Sequence, residues 1–162
     1  MDVEIPLSSL YAIFMKLRKQ GHCAYKCEYH LVIVTKYRRT IFNAGSFEYF
    51  CEVMKGVLYD GMPEVEMLEV NHDKDHIHLL LSIPPKMRVS DVVRRIKSTT
   101  GRLLKKKFEY MRKAYWGVDG IWSDGYFVST IGLNEAVIKR YIEQQGKEDR
   151  GQAQLVLGQR PT

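Results

Sequence analysis

Apolar and polar residues alternate over Ala24 to Lys36, with Tyr25, Cys27, Tyr29, Leu31 and Ile33 at odd positions and Lys26, Glu28 and His30 between them. A period of two predicts a strand, and Val32 and Val34 make its far end apolar on both faces, as in the middle of a sheet. Phe47, Phe50, Cys51, Met54 and Leu58 then fall on one helical stripe, predicting a helix from Ser46 as N-cap to about Leu58. Gly61-Met62-Pro63 stops it. Val65 to Val70 and His76 to Ile83 predict two more strands, the latter closed by Pro84-Pro85. The clearest helical pattern covers Ser90 to Phe108, where Val92, Val93, Ile96, Leu103, Leu104 and Phe108 share a face opposite a basic surface. Gly120 to Ile131 predicts a fourth strand with a turn at Ser123-Asp124-Gly125. A last helix is expected from Asn134, as cap, to Gln145, with Gly146 as its stop.

The order strand, helix, strand, strand, helix, strand is that of a split β-α-β arrangement. The expectation is an α+β, ferredoxin-like (RRM-like) fold: one four-stranded antiparallel sheet with helices on one face, plus a C-terminal helix. One domain is expected over residues 1–162. Residues 1–20 read as an appended helical segment, 21–145 as the core and 146–162 as a loosely held polar tail.

With 162 residues and 45% hydrophobic content, a core can form without a metal or disulfide staple, and wholesale disorder is excluded. The net charge of +6 favours a polyanionic partner without requiring one. Three cysteines, Cys23, Cys27 and Cys51, form no Cys-x-x-Cys pair, which argues for a reducing compartment and against a disulfide framework. No apolar run reaches the ~20 residues of a membrane span, and the acidic start is unlike a signal peptide, so a cytoplasmic protein is expected. The cysteines, Trp116, Trp122 and the methionines are expected to pack the core.

The chemistry concentrates in Asp75-His76-Ile77-His78-Leu79-Leu80-Leu81. On a strand His76 and His78 share one face, with Ile77, Leu79 and Leu81 on the other. Two imidazoles so placed can converge on a divalent cation, and a third ligand must come from elsewhere. In the last helix Tyr141 and Gln145 lie four apart on one face. There the phenol can act as nucleophile and the amide oxygen can complete a metal shell. Singly, a surface His pair or a core tyrosine is the plainer reading of each.

Together these stretches resemble the single-tyrosine HUH transposases of the smallest insertion sequences (the two-hundred/six-hundred-and-five group). The likeness spans most of residues 24–145. It is carried by Tyr29-His30-Leu31-Val32-Ile33-Val34-Thr35-Lys36-Tyr37-Arg38-Arg39, by Asp75-His76-Ile77-His78-Leu79-Leu80, and by Lys97-Ser98. Tyr126-Phe127-Val128-Ser129-Thr130-Ile131-Gly132 and the tyrosine helix complete it. The resemblance implies that Tyr141 attacks a phosphodiester of single-stranded DNA, leaving a 5′-phosphotyrosine and a free 3′-hydroxyl without ATP. It also implies that His76, His78 and Gln145 hold Mg²⁺ or Mn²⁺, that the substrate carries hairpin ends, and that a homodimer exchanges its tyrosine helices near Gly132.

Lys36, Arg38 and Arg39 after the first strand, and Arg94, Arg95 and Lys97 on the basic helix, are the candidate DNA contacts. Tyr37 and Phe42 are candidates for stacking on unpaired bases. His72 and Asp73, in the polar lead-in, read more simply as turn residues than as further ligands. A histidine-triad hydrolase would want a third histidine where Leu80 stands. A non-catalytic RRM-like binder would show aromatics where His76 and His78 lie. A domesticated, repeat-associated tyrosine nickase would share the chemistry and stays open as the nearest alternative.

Overall fold

The computed structural model describes residues 17–130 and 135–158. The chain opens with a hairpin of β1 (Arg18–Gln20) and β2 (Cys23–Tyr25), turning at Gly21 with φ +57°. The segment expected as an appended helix therefore ends in a strand, and its first sixteen residues lie outside the described ones. The central strand β3 (Glu28–Val34) begins later than the alternation suggested, because Tyr25 is taken up by the hairpin.

Helix α1 (Ala44–Gly56) follows, capped by Asn43 rather than Ser46. Asn43 accepts from the Ser46 N–H, and the Ser46 hydroxyl accepts from the Asn43 N–H. This reciprocal pair places Ser46 three residues inside the helix. A wide turn over Val57–Gly61 leads to β4 (Glu66–His72) and β5 (His76–Ser82). Helix α2 (Val89–Lys107) matches its apolar stripe, and a short helix α3 (Glu109–Ala114), with no counterpart in the sequence pattern, comes after it. The expected fourth strand is reduced to β6 (Phe127–Ser129) and an isolated bridge between Trp122 and Thr35.

The antiparallel sheet has the order β4-β5-β3-β6, the split β-α-β arrangement expected. Leu31, Ile33, Ile77, Leu79 and Leu81 face α1 and α2 and build the main core with Phe50, Met54, Val92, Ile96 and Leu104. Val32 and Val34 face the other way and form a small cluster with Ile142 of the last helix, α4 (Glu135–Gly158).

Gly146 does not end that helix, which runs for 24 residues. Glycine costs a helix interior about 1 kcal/mol, a cost other contacts offset here. Gln144 Nε2 donates to Glu148 Oε1 at 2.9 Å, Arg150 Nε to the Gly146 carbonyl at 2.9 Å, and Asp149 is anchored in the protein with 2% exposure. The expected loose tail is thus held helical through Gly158. The Asn134 cap and the Gly132 hinge fall outside the described residues.

Two other expectations are corrected. Trp122 is buried and donates to Thr100 Oγ1, but Trp116 is 82% exposed. Of the cysteines, Cys23 is exposed while Cys27 and Cys51 are half-buried, and all three are free thiols. No helix among the described residues is long and apolar enough to cross a membrane.

Candidate functional site

The register of β3 against β5 sets Val34 opposite His76 and Val32 opposite His78. Directly opposed residues share a face, so both imidazoles lie on the side covered by α4, away from the main core. Their ring centroids are 4.8 Å apart. They line a cavity of about 600 Å³ with Arg38, Asp73 and Asp75 on one side and Lys139, Ile142 and Glu143 of α4 on the other.

Asp75, whose place just before the pair in the sequence carries no signal of a role, orients it. Its Oδ1 is 2.7 Å from His76 Nδ1, and its Oδ2 accepts from Arg38 Nε at 3.1 Å. The hydrogen bond from His76, helped by Arg38, holds the Asp75 carboxyl below the usual carboxylate range against the opposing effect of burial. With Nδ1 committed to a carboxylate, His76 has Nε2 left for a cation, the arrangement common among metal-bound histidines. Burial, and then the neighbouring His76, push His78 below the ordinary histidine value. A neutral ring at pH 7 is the form that can donate a lone pair.

Two oriented imidazoles fit a divalent cation. Among the described residues no third histidine, cysteine or carboxylate is grouped with them as a ligand set. His72 pairs with Ile77 on the opposite face, where its ring stacks on Phe47 at 4.1 Å.

Tyr141 and Gln145 do lie together, but facing the loop at Gly125 rather than lining the histidine cavity. A Cβ on Gly125 would stand 3.1 Å from both Tyr141 Oη and Gln145 Oε1, so glycine is what admits these two side chains. The Gly125 N–H donates to Gln145 Oε1 at 3.3 Å, and Gln145 Nε2 donates to Glu148 Oε2 at 2.7 Å. Tyr141 Oη is buried without a hydrogen-bond partner. Burial, then the Glu148 and Asp149 carboxylates, drive its ionisation well above the ordinary tyrosine value. The structure therefore assembles two halves, His76 with His78 and Tyr141 with Gln145, on adjoining sides of α4.

The candidate DNA contacts divide. Arg38 is tied to Asp75, and Arg39 lies over the rings of Tyr37 and Tyr115 at 5.3 and 5.0 Å. Lys36 Nζ is 3.8 Å from Asp124. Arg95 packs across Gly61, and Arg94, on the exposed surface, pairs with Asp91. Lys97 Nζ donates to the carbonyls of Ser123, Asp124 and Gly125 at 2.6, 3.2 and 3.1 Å. Its burial lowers its pKa, with Asp124 and Asp149 opposing. Its ammonium thus organises the loop that receives Tyr141. Phe42 is not available to bases: it is a core residue stacked on Trp122 at 5.6 Å.

Comparison with known proteins gives the family. Residues 23–145 match the family model described as "Transposase IS200 like". The transposase for insertion sequence element IS200 of Salmonella typhimurium LT2 is 34% identical over 137 residues, covering 85% of this chain and 88% of that protein. The ISDra2 transposase TnpA of Deinococcus radiodurans is 28% identical over 132 residues, covering 81% and 92%. A crystal structure of a transposase candidate from Deinococcus radiodurans R1 superposes with a TM-score of 0.68 at 27% identity, covering 79% of this chain and 97% of that one. A family match over this length, with the histidine strand and the tyrosine helix inside it, decides the matter: the chain belongs to the IS200-like transposase family.

Proposed function

We propose that this transposase cleaves and rejoins single-stranded DNA at hairpin-marked ends, with Tyr141 as nucleophile and a 5′-phosphotyrosine as the intermediate. The observation that carries the reading is the oriented His76–His78 pair in a cavity walled by the helix that bears Tyr141. Tyr141 Oη bonds to phosphorus, the bond from phosphorus to the 3′-oxygen breaks, and that oxygen leaves as a hydroxyl. The phenolic proton balances the leaving oxygen. Because the ester keeps the bond's free energy, a second 3′-hydroxyl can reverse the step on a new strand without ATP.

His76 and His78 would hold Mg²⁺ or Mn²⁺, with Gln145 as the third ligand. The ion, when bound, would polarise the scissile phosphate and neutralise charge in the transition state. Asp75 keeps His76 in the tautomer that donates from Nδ1. Both Tyr141 and Gln145 must reach the histidine cavity for this chemistry. We therefore assign α4 a second seating, reached within the chain or by exchange across a homodimer. Freeing Tyr141 Oη from its partnerless burial favours that move. A reducing, cytoplasmic setting fits the three free thiols.

The test is a labelled pool of single-stranded DNA hairpins incubated with the protein and Mn²⁺ or Mg²⁺. An adduct that survives SDS, forms on single strands only, and disappears with EDTA, Tyr141→Phe or His76→Ala is expected. Tight hairpin binding without any adduct would leave a binding module or an inactivated relative.

A further inference from the structure

Trp116 is, with Tyr59, one of the two most exposed large aromatics among the described residues. It is 82% exposed, next to Tyr115, which is wholly buried. The loop that carries it is held firmly. Lys105 Nζ donates to the carbonyls of Tyr115 and Val118 at 3.2 and 3.0 Å, and the Trp116 N–H donates to the Lys113 carbonyl at 3.3 Å. Gly117 supplies the left-handed turn with φ +70°, and the Tyr115 hydroxyl donates to the Lys36 carbonyl at 3.0 Å. These bonds fix the backbone at Trp116 beside a buried anchor, while its side chain is left exposed.

The sequence leading up to it is cationic. The stretch 105–116 contains Lys105, Lys106, Lys107, Arg112 and Lys113 against a single acid, Glu109, which Lys113 pairs at 3.0 Å. Tyr115 also joins this loop to the Lys36–Arg39 segment, since Arg39 lies over its ring. Through that contact the loop carrying Trp116 packs against the segment whose Arg38 lines the histidine cavity.

We infer that Trp116 is a stacking platform for an unpaired base of the substrate strand, with Lys106 and Arg112 taking the adjoining phosphates. An indole face gains from a planar base and is indifferent to which base it meets, while the cations need a polyanion. Paired bases are already stacked, so the contact selects a single-stranded flank over the hairpin stem. The inference builds on the proposed single-strand chemistry and names a part of the substrate that this surface reads.

The test exploits the two tryptophans, one exposed and one buried. Full-length protein carrying Tyr141→Phe, to prevent cleavage, is titrated with a hairpin bearing a single-stranded flank and with the same hairpin blunt. Tryptophan fluorescence and affinity are recorded. The flanked hairpin is expected to quench the emission, and Trp116→Phe, which keeps Trp122, to lose that quench. Trp116→Ala is expected to weaken the flanked hairpin about tenfold or more, with the loss confined to it. Equal affinities of the Ala variant and its parent for the flanked hairpin would overturn the inference and leave the proposed function standing. Quenching by anionic vesicles but not by DNA would reassign the surface to a membrane and also overturn it. Failure of the wild-type protein to bind any hairpin or form any adduct would sink the parent reading, and this one with it.

Discussion

The Asp149 carboxylate accepts a hydrogen bond from the backbone N–H of Tyr37 at 2.8 Å, joining the tyrosine helix to the turn that follows the central strand. Tyr37 and Arg38 hold φ of 60° and 51°, a left-handed conformation that non-glycine residues adopt at a cost of order 1–3 kcal/mol each. Asp149 also accepts from the Ser123 hydroxyl at 2.6 Å, and Ser123 lies in the loop organised by Lys97. One buried acid therefore ties α4 to both the Arg38–Asp75–His76 relay and the seat of Tyr141.

Replacing Asp149 by Ala leaves the Tyr37 N–H without its acceptor, in a place from which water is largely excluded, while the Ser123 hydroxyl can still donate to the Thr35 carbonyl at 3.2 Å. A loss of about 1–3 kcal/mol for that abandoned group is expected. Hydrogen exchange is expected to accelerate over 139–150 and at Tyr37 while β5 keeps its protection. Uniform acceleration across the sheet would refute the local role.

Tyr141→Phe separates stability from activity. The phenol is buried and partnerless, so deleting its oxygen removes a desolvated group that contributes nothing to holding the fold. The variant is expected to melt at the same temperature as wild type or higher, and to form no DNA adduct. A melting temperature several degrees lower would mean the hydroxyl has a partner in solution.

Gly146→Ala tests whether the glycine is a helix stop or a close approach. In an ordinary helix interior the change would stabilise by up to about 1 kcal/mol. Here the new Cβ would stand 2.5 Å from Arg38 Cδ, so Arg38 must shift off Asp75 or α4 must lift. Net destabilisation is expected in thermal melts, together with weaker Mn²⁺ binding by calorimetry, because Asp75 loses one of its two partners.

Lys97→Met distinguishes a loop-organising cation from a phosphate contact. With three carbonyls abandoned, thermal stability is expected to fall. The slope of log affinity for hairpin DNA against log salt is expected to hold steady. A slope shallower by about one unit would instead count Lys97 among the phosphate contacts.

The His78 ring, held below its ordinary pKa, makes stability pH-dependent with a definite sign. A folded-state value below the unfolded one gives a contribution that is complete above the unfolded pKa of about 6.5 and lost as pH falls through the folded value. In EDTA, wild type is expected to melt lower at pH 5 than at pH 7.5, and His78→Gln to narrow that gap. An unchanged gap would place the acid sensitivity elsewhere.

Local patterning was enough to read the sheet, the two helices behind it and the side on which the histidines stand. Period-two and helical patterns are local, and burial on one face enforces them: Ile77, Leu79 and Leu81 had to go inward, which turned His76 and His78 outward together. The Tyr141–Gln145 pairing was legible for the same reason, since four residues make about one helical turn. Three-dimensional packing was needed to see that α4 runs through Gly146, that Asn43 and Ser46 cap α1 jointly, and that Lys97 is spent on backbone carbonyls. It also decided that Trp116 is exposed while Trp122 is buried. Each of these depends on a partner far away in the chain, or on a choice between equivalent local options. The seating of α4 is the clearest case: glycine's local penalty is about 1 kcal/mol, and a buried carboxylate anchored 112 positions away outweighs it.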